Sequence, residues 1–299
     1  MKDLLEQIRD RVMRHESGVH TKTVLPQAVF AVVKRNSDPQ SIMCDAGICL
    51  VLQGTKQLFI GEKMLRHQAG HSFASLVELP STRCIFEVEN NKPYVATGLS
   101  IDHSSLVRLM ADLPPSRQSE TTSCFSEALA DRELLEAWDR YLALLDTPDD
   151  IPALAAPRER ELLYRLVQSP HGALLKQLAQ DEGKLVQVKR AIDWIRGHFD
   201  EPLSIKALAE MTEMSVPSLN RHFRAATAAS PLQYQKTLRL RAARQILAKS
   251  TNVTYAAYTV GYESTSQFSR EYSRLFGHSP KQDAQALRNK SHEITYAVI

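Results

Sequence analysis

Residues 203–231 read LSIKALAEMTEMSVPSLNRHFRAATAASP, and residues 254–280 read TYAAYTVGYESTSQFSREYSRLFGHSP. Sliding 215–231 onto 264–280, an offset of 49, brings Ser215 onto Ser264, Leu219 onto Phe268 and Arg221 onto Arg270. Phe223 then meets Tyr272, Ser230 meets Ser279, and Pro231 meets Pro280. A self-match at fixed period marks one supersecondary unit used twice. Each copy reads as a helix. Ser215 and Ser264 are expected N-caps, and Pro217 is tolerated because the first turn has no internal donor to lose. Leu219 and Phe223 form the apolar face of the first copy, and Phe268, Tyr272 and Phe276 that of the second. Opposite them lie Ser218, Asn220, Arg221 and Arg224, then Thr265, Ser266, Gln267, Ser269, Arg270 and Arg274.

A shorter helix precedes each copy, over 204–211 and 253–260, and Gly261 supplies the second corner. Helix, tight turn and helix, with basic and amide side chains on the outer face of the second, is the arrangement that reads a DNA major groove. Arg matches the acceptor edge of guanine, Asn or Gln matches adenine, and Ser or Thr matches base or phosphate. Those ten residues are therefore the expected DNA contacts. Residues 232–249 are expected to form the strut between the copies, with Leu238, Ala242 and Ile246 inward and Lys236, Arg239, Arg241 and Arg244 outward. Such a strut would place the two reading helices in groove faces about 34 Å apart.

Charge agrees with that reading. The whole chain carries 37 basic and 34 acidic residues, a net of +3. Residues 188–299 hold 16 basic against 9 acidic, a net of +7, and residues 1–187 hold 21 against 25, a net of −4. A basic tail behind an acidic front points to a polyanionic partner for the tail. At 299 residues the prior is two domains. Charged residues at 24% and hydrophobic ones at 43% exclude disordered, collagenous and low-complexity classes.

No apolar run, that over 48–52 included, approaches the ~18 residues a membrane helix needs. The opening MKDLLEQIRDRVMRHE interleaves charge with apolar residues at helical spacing, unlike a secretory signal. A cytoplasmic protein with no membrane partner is expected. The cysteines Cys44, Cys49, Cys84 and Cys124 form no CxxC pair and are expected as free thiols.

Leu4, Ile8 and Val12 mark a first amphipathic helix. Residues 24–101 then change texture to short runs: VLPQAVFAVV, IMCDAGICLVL, QLFIG, a segment over 73–79, and RCIFEVE. In the last, Cys84, Phe86 and Val88 share one face and Arg83, Glu87 and Glu89 the other, the period of a half-buried strand. Gly54, Gly61-Glu62, Gly70, Asn90-Asn91 and Pro93 punctuate the runs. Short strands at this spacing imply an antiparallel sandwich or barrel. After Asp102 the chain reads as helical. Leu135, Trp138, Leu142 and Leu145 paint one stripe on a helix of about 20 residues, which packs on the barrel or forms a self-association seam. Residues 148–157, rich in Pro and Asp, read as a hinge-like break, followed by a helix over 158–168. The expected fold is α+β, with a barrel domain and flanking helices at 1–150, a helical linker at 151–187 and a DNA-binding domain at 188–299.

The runs 254–280, 203–224 and 229–247 (ASPLQYQKTLRLRAARQIL) resemble the signature of the AraC/XylS family of bacterial transcription regulators. That resemblance implies two helix-turn-helix units joined by a long helix, bound to double-stranded promoter DNA as activator or repressor. An activator of this kind would also meet RNA polymerase. Ala228 stands where the family often has glycine, and where the second copy has Gly277, so a less sharply turned helix end is expected there. CLVLQGTKQLFIGEKMLRHQAGHSFASLVELP (49–80) and ERELLYRLVQSPHGALLKQLA (159–179) resemble the cupin-like N-terminal domain of one subset of these regulators. That likeness implies a small barrel receiving a small-molecule effector, with no common ligand to transfer, and a homodimer.

Two rivals carry different chemistry. Cupin folds often hold a metal, but His67 and His71 lie four apart around Gly70, with Glu78 following and His103 isolated, and nothing converges them on one ion. No metal and no cofactor are therefore expected, and neither a phosphate loop nor a nucleophile elbow is present. A metal-dependent cupin enzyme with a DNA-binding tail is one rival. A DNA-modifying protein with a sacrificial cysteine is the other. Cys44 and Cys49, five apart, would face opposite sides of a single strand, and a lone thiol of lowered pKa could sense oxidants. Buried cysteines acting as small hydrophobes are the alternative.

Overall fold

The computed structural model describes residues 1–36, 40–61, 63–88, 92–114, 123–179, 183–250 and 252–289. Glu62, Glu89, Asn90 and Asn91, assigned above to turns and a strand face, lie outside the described residues. The chain divides into two compact units that meet between Val186 and Gln187.

The first unit opens with α1 (Lys2–His15), whose Ile8 and Val12 are buried. Arg11 ties this helix to later chain by donating to Asp146 at 2.8 Å and to Asp139. Among the described residues ten strands follow, including β1 (His20–Lys22), β2 (Ala28–Val33), β3 (Gln40–Cys44), β4 (Gly47–Gln53) and β5 (Thr55–Ile60). The others are β6 (Lys63–Gln68), β7 (His71–Ser75), β8 (Leu79–Glu87), β9 (Tyr94–Leu99) and, after α2 (His103–Ala111), β10 (Phe125–Leu129). One antiparallel sheet runs β1-β2-β9-β4-β7-β10 and the other β3-β8-β5-β6. Period-two patterning puts Lys56, Leu58 and Ile60 of β5 inside, opposite Cys84 and Phe86 of β8 and Leu65 and His67 of β6. The strand expected around RCIFEVE is thus present with its faces as read, Cys84 and Phe86 buried and Arg83 exposed.

Three expectations need correction. The run IMCDAGICLVL is two strands, β3 and β4, in different sheets, so Cys44 and Cys49 never share a strand. The region after Asp102 is not wholly helical, because β10 pairs with β7 and extends the larger sheet. Residues 148–157 are not a hinge: a short 3-10 turn at Pro148–Asp150 leads directly into α4 (Ile151–Gln168). Pro152 fits the first turn of α4, where no donor is lost, and burial of Leu162, Leu163 and Leu166 holds the helix together beyond Pro157.

The Trp138 stripe lies on α3 (Arg132–Leu142), an 11-residue helix followed by a 3-10 turn, shorter than read. Leu135, Trp138, Leu142 and Leu145 are all buried within this unit, and the Trp138 indole donates to Thr97 Oγ1 at 3.3 Å. The stripe is consumed by packing on the barrel, and it offers no surface for a seam. The helix α5 (Gly172–Leu178) closes the unit. At its start His171 is buried, its Nε2 bonded to Ser72 at 2.8 Å and its Nδ1 to Ser126 at 2.5 Å.

The elements of the second unit among the described residues are helices: α6 (Lys184–Gly197), which begins just before the boundary, α7 (Ile205–Met211), α8 (Val216–Thr227), α9 (Pro231–Lys249), α10 (Val253–Thr259), α11 (Thr265–Phe276) and α12 (Pro280–Asn289). Phe223 of α8 meets the Tyr234 ring of α9 edge-on at 5.6 Å. The second copy is organised around Phe268 and Tyr272, which pack with Leu240, Ala243 and Leu247 of α9 and with Ala256 and Ala257 of α10. The α9 strut differs from the expected face. Its fully buried positions include Tyr234, Gln235, Leu240, Ala243 and Leu247, and Leu238, Ala242 and Ile246 are only half-buried.

Candidate nucleic-acid interface

Each copy is built the same way from its cap outward. Ser215 Oγ accepts from the Ser218 amide at 3.3 Å, and Ser264 Oγ accepts from the Gln267 amide at 3.3 Å, the capping expected of both serines. Both reading helices are 12 residues long, and both end on a left-handed residue, Ala228 (φ 57°) and Gly277 (φ 78°). The first helix end is therefore turned as sharply as the second, contrary to the expectation from Ala228. Burial of Leu219 and Phe223 in α8, and of Phe268 and Tyr272 in α11, fixes which side faces out.

That outward side carries the expected residues. Asn220, Arg221 and Arg224 are exposed on α8 with Ser218 half-buried beside them. Ser266, Gln267, Arg270 and Arg274 are exposed on α11, with Thr265 and Ser269 half-buried. Ser266, Arg270 and Arg274 fall at i, i+4 and i+8 and so line one stripe. Asn220 Nδ2 donates to the Val216 carbonyl at 3.1 Å, and Arg221 donates to His222 Nε2 at 3.3 Å. A carboxylate, Glu271, sits below this stripe. Burial pushes its carboxyl up, but hydrogen bonds from Lys236, Tyr262 and Gln267 outweigh that and hold it below the usual range.

The copies differ at their corners. The turn between α7 and α8 spans 212–215, and that between α10 and α11 spans 260–264, one residue longer. The helix starts α7 and α10 are accordingly offset by 48, not 49. Gly261 takes φ +82° at the second corner, where a Cβ would lie 1.9 Å from the Asp200 carbonyl oxygen. Glu213 occupies the matching left-handed position of the first corner at φ 55°.

Two arginines expected to face outward turn inward. Arg239 donates to the carbonyl oxygens of Phe199 at 2.6 Å, Gly261 at 2.8 Å and Glu201 at 2.7 Å. Arg244 pairs with the buried Asp283 at 2.8 Å, and Asp283 also accepts from the Tyr272 hydroxyl at 2.7 Å. Both act on packing. Sequence reasoning also missed α12, whose signal was in plain view: Ser-Pro-x-Gln occurs at 230–233 and again at 279–282. In each, the Gln side chain reaches back to the serine amide and the serine hydroxyl accepts from the Gln amide, a capping box that starts α9 and α12.

The interior of the barrel is the other place where polar groups gather. Lys56, 3% exposed, lies 5.8 Å from the Phe86 ring centre and opposite His67 on the neighbouring strand. Burial and the Lys56 charge push His67 down to about 4 although it donates to Glu127 at 3.1 Å. His20 falls to about 4 for the same two reasons. Burial, with the Cys49 thiol beside it, holds the Tyr94 hydroxyl well above its usual range. Among the described residues no group of His, Cys, Asp and Glu is placed to share a metal ion. His67, His71 and His103 diverge: His71 Nδ1 donates to the Gln68 carbonyl and His103 Nε2 to the Leu178 carbonyl. All four cysteines are buried, and burial pushes Cys84 and Cys124 up to about 12, the reverse of an activated thiol.

Residues 25–174, half of the chain and running from just before β2 into the start of α5, match the family model described as the AraC-type transcriptional regulator N-terminus. The chain belongs to that family. A model described as a helix-turn-helix domain matches residues 208–286, so family models fall on both units. The HTH-type transcriptional activator RhaS of Escherichia fergusonii is 32% identical over 135 residues, 44% of this chain and 48% of that protein. RhaS of Salmonella schwarzengrund is 29% identical over 153 residues, 50% of this chain and 54% of that protein. The chain thus spans about half the length of these curated relatives. Among solved structures, apo ToxT from Vibrio cholerae superposes with a TM-score of 0.57 at 9% identity, covering 87% of this chain and 98% of ToxT. Wild-type ToxT with bound unsaturated fatty acid gives 0.54 at 10%, covering 86% and 94%. At that identity the likeness is one of fold. Among the described residues no helix is long and apolar enough to cross a membrane.

Proposed function

We propose that this AraC-type chain is a transcription regulator that binds double-stranded promoter DNA in a sequence-specific way through α8 and α11. Ser218, Asn220, Arg221 and Arg224 contact DNA from the first copy. Thr265, Ser266, Gln267, Ser269, Arg270 and Arg274 contact it from the second. The observation that carries this reading is the duplication itself: two equally capped 12-residue helices each bury an aromatic face and present amide and basic groups outward. Arg supplies the bidentate donor for guanine and neutralises phosphate, and the net +7 of residues 188–299 supplies the long-range attraction.

The division of labour we assign is sensing at 1–150, a helical linker at 151–187 and DNA binding at 188–299. A small molecule received by the barrel is the controlling signal. ToxT, which shares the fold, holds an unsaturated fatty acid, and the barrel here encloses Lys56 and His67 as polar anchors among apolar walls. The signal acts by shifting the population of domain arrangements. The regulator works in the cytoplasm as a homodimer, where linked modules gain from effective concentration, and it meets RNA polymerase where it activates. Kinship with regulators and the burial of all four cysteines favour a non-enzymatic role over the metal-enzyme and alkyl-acceptor rivals.

Selection from a random double-stranded DNA library with the full chain, followed by genome-wide mapping of bound sites, tests the reading. The expected result is one enriched motif with two half-sites. Binding with no sequence preference at low salt would overturn it.

A further inference from the structure

The two reading helices are not electrostatic duplicates. Glu271 is the one acidic residue in either helix, and its counterpart in the first copy is His222. Glu271 Oε1 accepts from Lys236 Nζ at 2.9 Å and from Gln267 Nε2 at 3.4 Å. Its Oε2 accepts from the Tyr262 hydroxyl at 2.7 Å. Both oxygens are engaged and the side chain is 20% exposed, so Glu271 is a support beneath the exposed Gln267. The three donors come from the strut, the corner and the reading helix, so the carboxylate is anchored from outside α11 as well as within it.

An ionised carboxylate only accepts hydrogen bonds. The Gln267 amide must therefore turn its nitrogen toward Glu271, which leaves its carbonyl oxygen facing away. Freed of that carboxylate, a glutamine amide presents either end to a base. We propose that Glu271 is a positioning residue that makes Gln267 an acceptor, so that α11 selects a base with a major-groove amino group, adenine or cytosine. Guanine and thymine offer acceptors at that edge and would face the oxygen unpaired. Ser218 holds the matching place in α8, and its hydroxyl both donates and accepts. At this matched pair of positions the fixed polarity belongs to the second copy; the amide fixed in the first copy, Asn220, is held by the backbone carbonyl of Val216 and not by a carboxylate. This inference rests on the DNA-reading function proposed above.

The test uses the full chain and sites selected from a random-sequence duplex library, with affinity measured for all four bases at each position. The wild type is expected to favour adenine or cytosine over guanine or thymine by about tenfold at one position of the second half-site. Glu271→Gln should shrink that ratio to within about threefold at that position and leave ratios elsewhere unchanged. Tyr262→Phe, which keeps the ring against Phe268 and removes one anchor of the carboxylate, should move the same ratio in the same direction. It carries the test if Glu271→Gln lowers the unfolding temperature. Gln267→Ala should abolish the discrimination, and adding Glu271→Gln to it should change nothing further. An undiminished ratio in both Glu271→Gln and Tyr262→Phe overturns the proposal, as does an equal loss of discrimination at every position. A wild type that selects a clear motif but shows no adenine or cytosine preference sensitive to Gln267→Ala sinks this inference alone. A wild type without any sequence preference sinks the DNA reading and this inference together.

Discussion

The guanidinium of Arg239, midway along α9, donates to the carbonyl oxygen of Gly261 at the corner of the second helix-turn-helix. The same side chain holds the carbonyls of Phe199 and Glu201, which lie ahead of the first helix-turn-helix. One residue of the strut thus grips the corner of the second copy and the backbone that leads into the first. Arg239→Ala should destabilise this unit by about 2–3 kcal/mol, because charge-assisted bonds are lost and carbonyls are left without their donors. Arg239→Lys should recover little, since a point ammonium cannot reproduce a planar fork of donors. Urea unfolding followed by circular dichroism reads both variants, and wild-type stability in Arg239→Ala would refute the staple.

Asp283 joins α12 to the rest through Arg244 and Tyr272. Replacing it with Ala strands a half-buried cation and a buried hydroxyl, at a cost of about 3 kcal/mol. Tyr272→Phe removes only a hydroxyl and should cost about 1 kcal/mol. Equal effects in the two variants would contradict the arrangement.

Ala228 holds a left-handed conformation that an L side chain adopts at a cost. Ala228→Gly should stabilise the second unit by about 0.5–1 kcal/mol, the left-handed strain relieved exceeding the entropy lost by glycine. A lower denaturation midpoint in this variant would show that the strain is absorbed elsewhere.

Burial lowers His171 to about 4 from its ordinary 6.5. Between those values the unfolded chain binds a proton that the folded chain does not. Its contribution is therefore complete above pH 6.5 and is lost as the pH falls toward 4, by on the order of 3 kcal/mol in all. His20 and His67 act in the same window and the same sense. The fluorescence of Trp138 reports the first unit once Trp194→Phe silences the other tryptophan. In that background, His171→Gln should make stability fall less steeply with acid, by about 1 kcal/mol per pH unit. An unchanged slope would mean that His171 does not titrate with folding.

Arg221→Ala and Arg270→Ala should each weaken specific binding by about 1–3 kcal/mol and relax the preference at one base pair. If either variant instead lowers only the salt dependence, that arginine contacts phosphate. Phase of the helix, set by Leu219 and Phe223 in one copy and by Phe268 and Tyr272 in the other, is what points both arginines outward.

Caps and periodicity made the second unit legible: Ser215, Ser264 and the apolar residues three and four apart fix start, length and face of each reading helix. Charge did not reveal direction. Arg239 and Arg244 look like solvated strut residues, yet backbone carbonyls from 40 and 22 residues away, and a carboxylate 39 away, draw them in. Long-range partnership also hid β10, whose five residues carry little pattern until β7 pairs with them. Pro157 misled for a related reason, since tertiary burial of α4 overrides a local helix breaker. Glu213 in a left-handed corner had no residue-type signal at all.

The longer second corner, together with the unlike chemistry of α8 and α11, deprives one chain of any two-fold axis of its own. With α8 and α11 reading DNA as proposed, the half-site of one chain consequently has a direction along the duplex. Reversing that half-site in place would then not be a silent edit.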